Sequence, residues 1–413
     1  MAQKAAAKAL AHVHNITVHE SALRAHVMRP SHVKGVTSSR GLHEGTKIRP
    51  VTVRRLPSQF LDVKAFGDAL HAALKDSVAG YVMQLRQNSK TIYTLEWKWA
   101  KTKSDGSRKW TPAVRMHVAS CSKLITAMAM TRLLDHKKIS YDAAIASHLP
   151  HYWKKGPNVG KVTFRHLMTH TSGFNYKVKS SDSDYQFMKS QVEAGTKNLG
   201  KYWYQNMNFG LCRILIATIN GNISTNGHFA SNIPFLGSLT GLPFINDMIW
   251  DFVTIQSYVK YVQEHVFKPA GVTGPTLNHP SPDALAYNFP VDGGGWDSGD
   301  LSSMSGGAGW HMSPDDYLSV MGAFRRKGTI MSNKQAQAML DNGFGIDVIM
   351  GTPLGTLYNK NGSWSKDGHQ EQSLAYFLPD DMELVVLANS PIGKTGKFFR
   401  DVVTNIYSAS IKS

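Results

Sequence analysis

A chain of 413 residues with 42% hydrophobic and 10% aromatic side chains is long enough for one large domain or two to three ordinary ones, and can bury roughly 75% of its unfolded surface. Its formal charge of +17 is unevenly spread, and two cysteines, Cys121 and Cys212, are too few for a disulfide framework. No stretch of about 18 apolar residues occurs, which argues against a membrane-spanning helix.

Residues 1–60 hold ten Lys or Arg against Glu20 and Glu44, a net charge of +8, together with six histidines. This segment reads as a basic extension that wraps the surface or contacts an anionic one. It has no apolar run long enough for a signal-peptide core, so a cytoplasmic protein and a processed exported one both fit. From about residue 61 the texture is globular. "FLDVKAFGDALHAALKD" has helical periodicity, and "AGYVMQLRQNSKTIYTLEWKWA" predicts two strands joined at Asn88-Ser89. "LITAMAMTRLL" (124–134) predicts a buried helix. "VTFRHLMTHTSGF" predicts a short one stopped by Gly173, and residues 208–219 another that ends at Asn220-Gly221.

Residues 222–246 carry no charge and are broken by Pro234, Gly237, Gly241 and Pro243, as an apolar lip over a site or a packed loop would be. "TIQSYVKYVQEHVFKPAGV" resumes a helix, and Ser313 with Asp316 suits the capped start of the next. "FGIDVIMG", "GTLYNKNG", "SLAYFLP" and "ELVVLANS" predict four strands before a last helix from about 397. Strands at both ends and helices between them predict an α+β fold, with one antiparallel sheet built from the N- and C-terminal segments and flanked by helices. The sheet region would be 61–135 and 305–413, and the helical region 136–304 with an apolar insertion at 222–254.

Three small motifs carry the chemistry. Ser120 and Lys123 lie three apart at a helix start, where an ammonium beside a hydroxyl activates a serine and backbone N–H groups receive an oxyanion. Cys121, beside the serine, points about 100° away from it on a helix. Tyr204 and Asn206, in "KYWYQNMNFG", precede a buried helix; a phenol near an ammonium has a lowered pKa and can carry the serine proton, while Asn206 suits a substrate amide. The third motif is a Lys-x-Gly, offered at Lys360-Asn361-Gly362, Lys366-Asp367-Gly368 and Lys394-Thr395-Gly396. The last follows the final strand and reads as a decoy.

"VASCSKLITA", "LMTHTSGF", "YQNMNFGLC", "YVQEHVFKPAGV", "SGGAGWHMSPDDYLSVMGAF" and "LAYFLPDDMELVVLANS", in that order, resemble landmarks of the class C β-lactamase-like serine hydrolases, a family that includes D-alanyl carboxypeptidases, D-aminopeptidases and esterases. The resemblance spans about residues 61–410. It implies a β-lactamase/transpeptidase-like fold, with Ser120 as acylated nucleophile, Lys123 as its electrostatic and proton-transfer partner, Tyr204 as general base and acid, and Asn206 as a substrate contact. The family places its third motif nine residues before the serine that opens the next strand, here Ser373, and that register lands on Trp364. Because loop insertions cost little, the preferred assignment is Lys360 with Gly362 and the N–H of Ser363. Lys366 with Gly368 is the rival.

The expectation is therefore a serine hydrolase acting through an acyl-enzyme on an ester or amide, its substrate a small-molecule or peptide-like acyl compound. The alternatives are an acyltransferase, or a non-catalytic binding protein of the same fold that uses its basic arm. No cofactor is expected, and the scattered histidines lack metal-site spacing. Nucleic-acid binding would rest on charge alone.

Overall fold

The computed structural model describes residues 10, 12–27, 47–49 (backbone), 59–178, 181–229, 243–279, 281–393 and 398–413. Most of the basic extension, residues 230–242 of the uncharged stretch and the Lys394-Thr395-Gly396 motif lie outside the described residues. Two compact units emerge. One gathers residues 36–128, 266–301 and 308–413, the other residues 1–35, 129–265 and 302–307. The boundary falls inside the helix Ser122–Lys137.

The first unit is built on an eight-stranded sheet. Its strands are β1 (Lys47–Arg49), β2 (Gly80–Gln87), β3 (Lys90–Lys101), β4 (Arg108–Lys109), β5 (Val348–Thr352), β6 (Gly355–Lys366), β7 (His369–Leu378) and β8 (Met382–Ala388), in the order β1-β5-β6-β7-β8-β2-β3-β4. Every pairing is antiparallel except β1 with β5. Central β8, "MELVVLA", is buried at every position and apolar except for Glu383, which pairs with Arg326, whereas β3 alternates. The β2–β3 and β6–β7 hairpins turn through Asn88-Ser89 and Asp367-Gly368, with both residues of each pair at positive φ, as tight two-residue hairpins need.

Two amphipathic helices close one face of this sheet. Phe66, Leu70 and Leu74 of the helix Val63–Leu74, and Phe399, Val403 and Tyr407 of the helix Phe399–Ala409, recur every fourth residue and meet Tyr81, Met83, Leu384, Val386 and Tyr376 in one core. The helix Pro314–Gly322, started by a reciprocal Ser313–Asp316 capping box, packs against β8 and β2. Residues 266–301, expected in the helical region, belong instead to this unit. Leu285 N–H donates to Ala100 O (2.9 Å), and Tyr287 N–H to Asn389 O (2.7 Å).

The second unit is helical. Its helix Asn206–Ile219 is buried from Asn206 to Ala217, and the guanidinium of fully buried Arg213 bonds Asp251 Oδ1 (2.8 Å) and Ser303 O (3.0 Å). The basic segment contributes here as structure. Leu23 and Val27 of the helix Glu20–Val27 are buried, and His26 Nε2 lies 3.1 Å from Asp251 Oδ2. Two boundaries differ from expectation. The helix Phe164–Met168 ends well before Gly173 because His170 adopts φ +57°, and Pro243 begins the helix Pro243–Val262 rather than breaking one. No helix among the described residues is long and apolar enough to cross a membrane.

Candidate active site

In the sheet-bearing unit, residues 118–121 form a tight turn between the short strand Met116–His117 and the helix Ser122–Lys137, and Ser120 sits in its 3₁₀ segment. Ala119 is left-handed (φ +45°), a conformation that costs a non-glycine residue about 1–3 kcal/mol and persists only where neighbours over-determine it. The neighbours are identifiable. Val118 N–H donates to Trp310 O (2.9 Å), Ser373 Oγ donates to Val118 O (2.6 Å), and Tyr317 Oη donates to Cys121 O (2.7 Å).

Lys123 Nζ lies 2.9 Å from Ser120 Oγ, and the lysine is fully buried. Burial holds this amine well below the ordinary lysine range; the charge of Lys360 pushes it the same way, and Asp347 partly opposes both. A neutral amine at that distance is a competent acceptor for the serine proton. Cys121, by contrast, is a buried free thiol pushed up to about 12 by desolvation, so it is inert as a nucleophile.

The strand β6 passes alongside this turn. Gly362 pairs with Ser373, and a Cβ placed on it would lie 2.6 Å from Val118 O and 2.8 Å from Ser120 N. Glycine is required there by close approach of two backbones, not by its dihedral angles. β6 does not end at Gly362 as expected but continues to Lys366, which is exposed beside the hairpin turn. A Cβ on Gly368 would meet only Asn288, at 3.8 Å. Gly362 therefore adjoins Ser120, and the rival Lys366 and Gly368 sit at the far end of the hairpin.

Lys360, two residues before Gly362, is itself paired. Its ammonium is buried and donates to both oxygens of Asp347 (2.8 and 2.7 Å), and Asn361 N–H donates to the same carboxylate (3.0 Å). The lysine thus holds a buried ion pair with Asp347. Ser363 lies opposite Gln372, half-buried, and its hydroxyl accepts from Gln370 Nε2.

Tyr204 and Asn206 belong to the helical unit. Tyr204 is buried with its ring stacked on His170 (centroids 4.3 Å apart, planes at 33°). Asn206 opens its helix, its N–H donating to Ser181 Oγ (2.7 Å). Ser172 Oγ donates to Asn208 Oδ1 (2.6 Å), which turns the Asn208 amide nitrogen toward His170 Nδ1 (3.1 Å) and fixes the imidazole under the phenol. Reasoning from the sequence quoted His170 only as a landmark, and it missed the buried pair His117–Glu371 beside the nucleophile turn. One signal was available for Glu371: it lies two residues before Ser373, hence on the same face of β7.

A profile of the beta-lactamase family matches residues 63–223 and 249–402. The chain is 23% identical over 265 residues to the penicillin-binding protein homologue PbpX of Bacillus subtilis (strain 168), a match covering 62% of this chain and 56% of that protein. It spans about half the length of the curated relatives it matches. Among solved structures, FmtA from Staphylococcus aureus superposes with a TM-score of 0.61 at 17% identity, over 95% of each chain. The D-amino acid amidase from Ochrobactrum anthropi SV3 superposes with a TM-score of 0.59 at 16% identity, covering 84% of this chain and 98% of that one. Both likenesses are likenesses of fold.

Proposed function

Because this chain belongs to the beta-lactamase family, we propose that it is a serine hydrolase working through an acyl-enzyme on Ser120. The observation that carries the proposal is the 2.9 Å approach of the buried Lys123 amine to the Ser120 hydroxyl, an amine that desolvation holds below the ordinary lysine range. As Ser120 Oγ attacks an acyl carbon, its proton passes to Lys123 Nζ, and the carbonyl oxygen becomes an oxyanion. Collapse breaks the bond to the alkoxide or amine, which leaves with a proton. Water then attacks the Ser120 ester and regenerates the hydroxyl. Tyr204 is proposed as the proton carrier for the leaving group and Asn206 as a substrate contact, both on the strength of their motif.

The substrate class is an ester or amide whose acyl part need not carry a carboxylate. The ion pair of Lys360 with Asp347 supports this reading, since a cation already neutralised in the interior has little charge left for an anionic substrate. The binding-protein alternative gains no support from the basic segment, whose described part is engaged with its own chain; Lys260 Nζ, for instance, donates to Asn15 O (2.8 Å).

A fluorophosphonate probe tests the proposal. One adduct on the tryptic peptide holding Ser120, abolished in Ser120→Ala together with a fall of ~10⁴- to 10⁶-fold in p-nitrophenyl ester turnover, is the expected result. An unlabelled protein, or an adduct elsewhere, would sink it. Added alcohols or amines, with the products identified, separate hydrolysis from acyl transfer.

A further inference from the structure

A buried carboxyl group lies one step behind the nucleophile turn and has no part in the chemistry above. Glu371 is 3% exposed and fully buried His117 is its neighbour, Nδ1 standing 2.8 Å from Glu371 Oε2. Gly309 N–H donates to His117 Nε2 (3.1 Å), so that nitrogen is an acceptor and the ring is the neutral tautomer with its proton on Nδ1. That proton faces Glu371. The other carboxyl oxygen, Oε1, lies 3.2 Å from Ser298 Oγ.

The remaining charged or titratable groups around the pair are Asp297, His311 and, reaching His117, Lys123. His279 lies behind His311 (ring centroids 5.9 Å apart). Among the described residues Glu371 has no lysine or arginine partner, and its one ion-pair candidate is the neutral His117. An unpaired buried carboxylate is costly, and the group takes up a proton instead. Burial pushes it to about 8, only partly opposed by His311 and the Ser298 bond. Near neutral pH the protonated form of Glu371 is therefore favoured, with Ser298 Oγ donating to Oε1 and His117 Nδ1 facing Oε2.

Its placement links it to the nucleophile. Glu371 and Ser373 project from one face of β7 and grip consecutive residues leading into the turn, His117 and Val118, three and two positions before Ser120. Trp364, paired with Glu371 across the hairpin, closes the cluster edge-on to His117 (5.5 Å, 87°).

We propose that Glu371 is a positioning residue for Ser120: through His117 it holds the strained turn that presents the nucleophile, and it does so as a neutral acid. Ionisation would set an uncompensated negative charge roughly 7–10 Å from the developing oxyanion, two residues of strand away, and slow acylation about tenfold. This inference rests on Ser120 being the nucleophile.

The experiment measures the rate of fluorophosphonate labelling at Ser120, and kcat/KM for an ester, across pH 6–10 in the full chain. Glu371→Gln keeps an acceptor oxygen for the His117 proton, turns an amide N–H toward the Ser298 hydroxyl, which can accept as well as donate, and cannot ionise. It should label like wild type at neutral pH while lacking the wild-type decline above pH ~8. Glu371→Leu removes the grip on His117 and should slow labelling on the order of 100-fold at every pH. An identical alkaline limb in wild type and Glu371→Gln, with Ser120 labelled in both, overturns the inference alone. Failure of wild type to label at Ser120 overturns the proposed function as well. Should Glu371→Leu not fold, the comparison with Glu371→Gln still decides.

Discussion

Replacing Gly362 with alanine asks whether the approach of β6 to the nucleophile turn matters for chemistry. The new methyl group would lie 2.6 Å from Val118 O, 2.8 Å from Ser120 N and 2.5 Å from Ser373 Oγ. The serine hydroxyl can rotate away, but the other two atoms are backbone. Ordinary contact at about 3.5 Å requires β6 and the turn to part by roughly 0.8 Å or more. Overpacking of this kind costs about 1–3 kcal/mol. A displacement near 1 Å at a reacting centre costs on the order of 100-fold in rate. Gly362→Ala should therefore lower Ser120 labelling and kcat about 100-fold, with a modest fall in the urea midpoint. Gly160→Ala, where a Cβ meets nothing within 4 Å, serves as the silent control. If Gly362→Ala labels and turns over at the wild-type rate, the strand does not brace the nucleophile and the argument from close approach is wrong.

Lys123→Met should abolish turnover yet raise stability at neutral pH. The folded-state pKa of Lys123 lies below its unfolded value of 10.5, so between the two the unfolded chain binds a proton that the folded chain lacks. Wild-type stability attributable to this group then rises as pH climbs toward 10.5, and urea midpoints of the methionine variant should lack that slope. Tyr204→Phe keeps the ring on His170 and removes only the hydroxyl. It should cost ~10²- to 10⁴-fold in kcat with an unchanged melting midpoint; equal loss of both would mark Tyr204 as structural.

The sequence by itself determined much of this protein, wherever the physics is local. Period-two and period-3.6 patterns placed the four C-terminal strands and the principal helices. Asn88-Ser89 marked the first hairpin, and the three-residue spacing of Ser120 and Lys123 placed hydroxyl and amine on one face of a helix start. Tertiary structure alone decided matters that depend on pairing and burial. Parity along β6 is the same for Lys360 and Lys366, so only the hairpin register, with Gly362 opposite Ser373, separates them. The carboxylate that claims Lys360 comes from Asp347, thirteen residues earlier, and that ion pair forms only once β5 and β6 are side by side. Glu371 is an ordinary polar letter in "GHQEQ". Its carboxyl is pushed up to about 8 because folding strips it of water beside a histidine whose other nitrogen is already taken. Desolvation belongs to the assembled interior, and no window of sequence contains it.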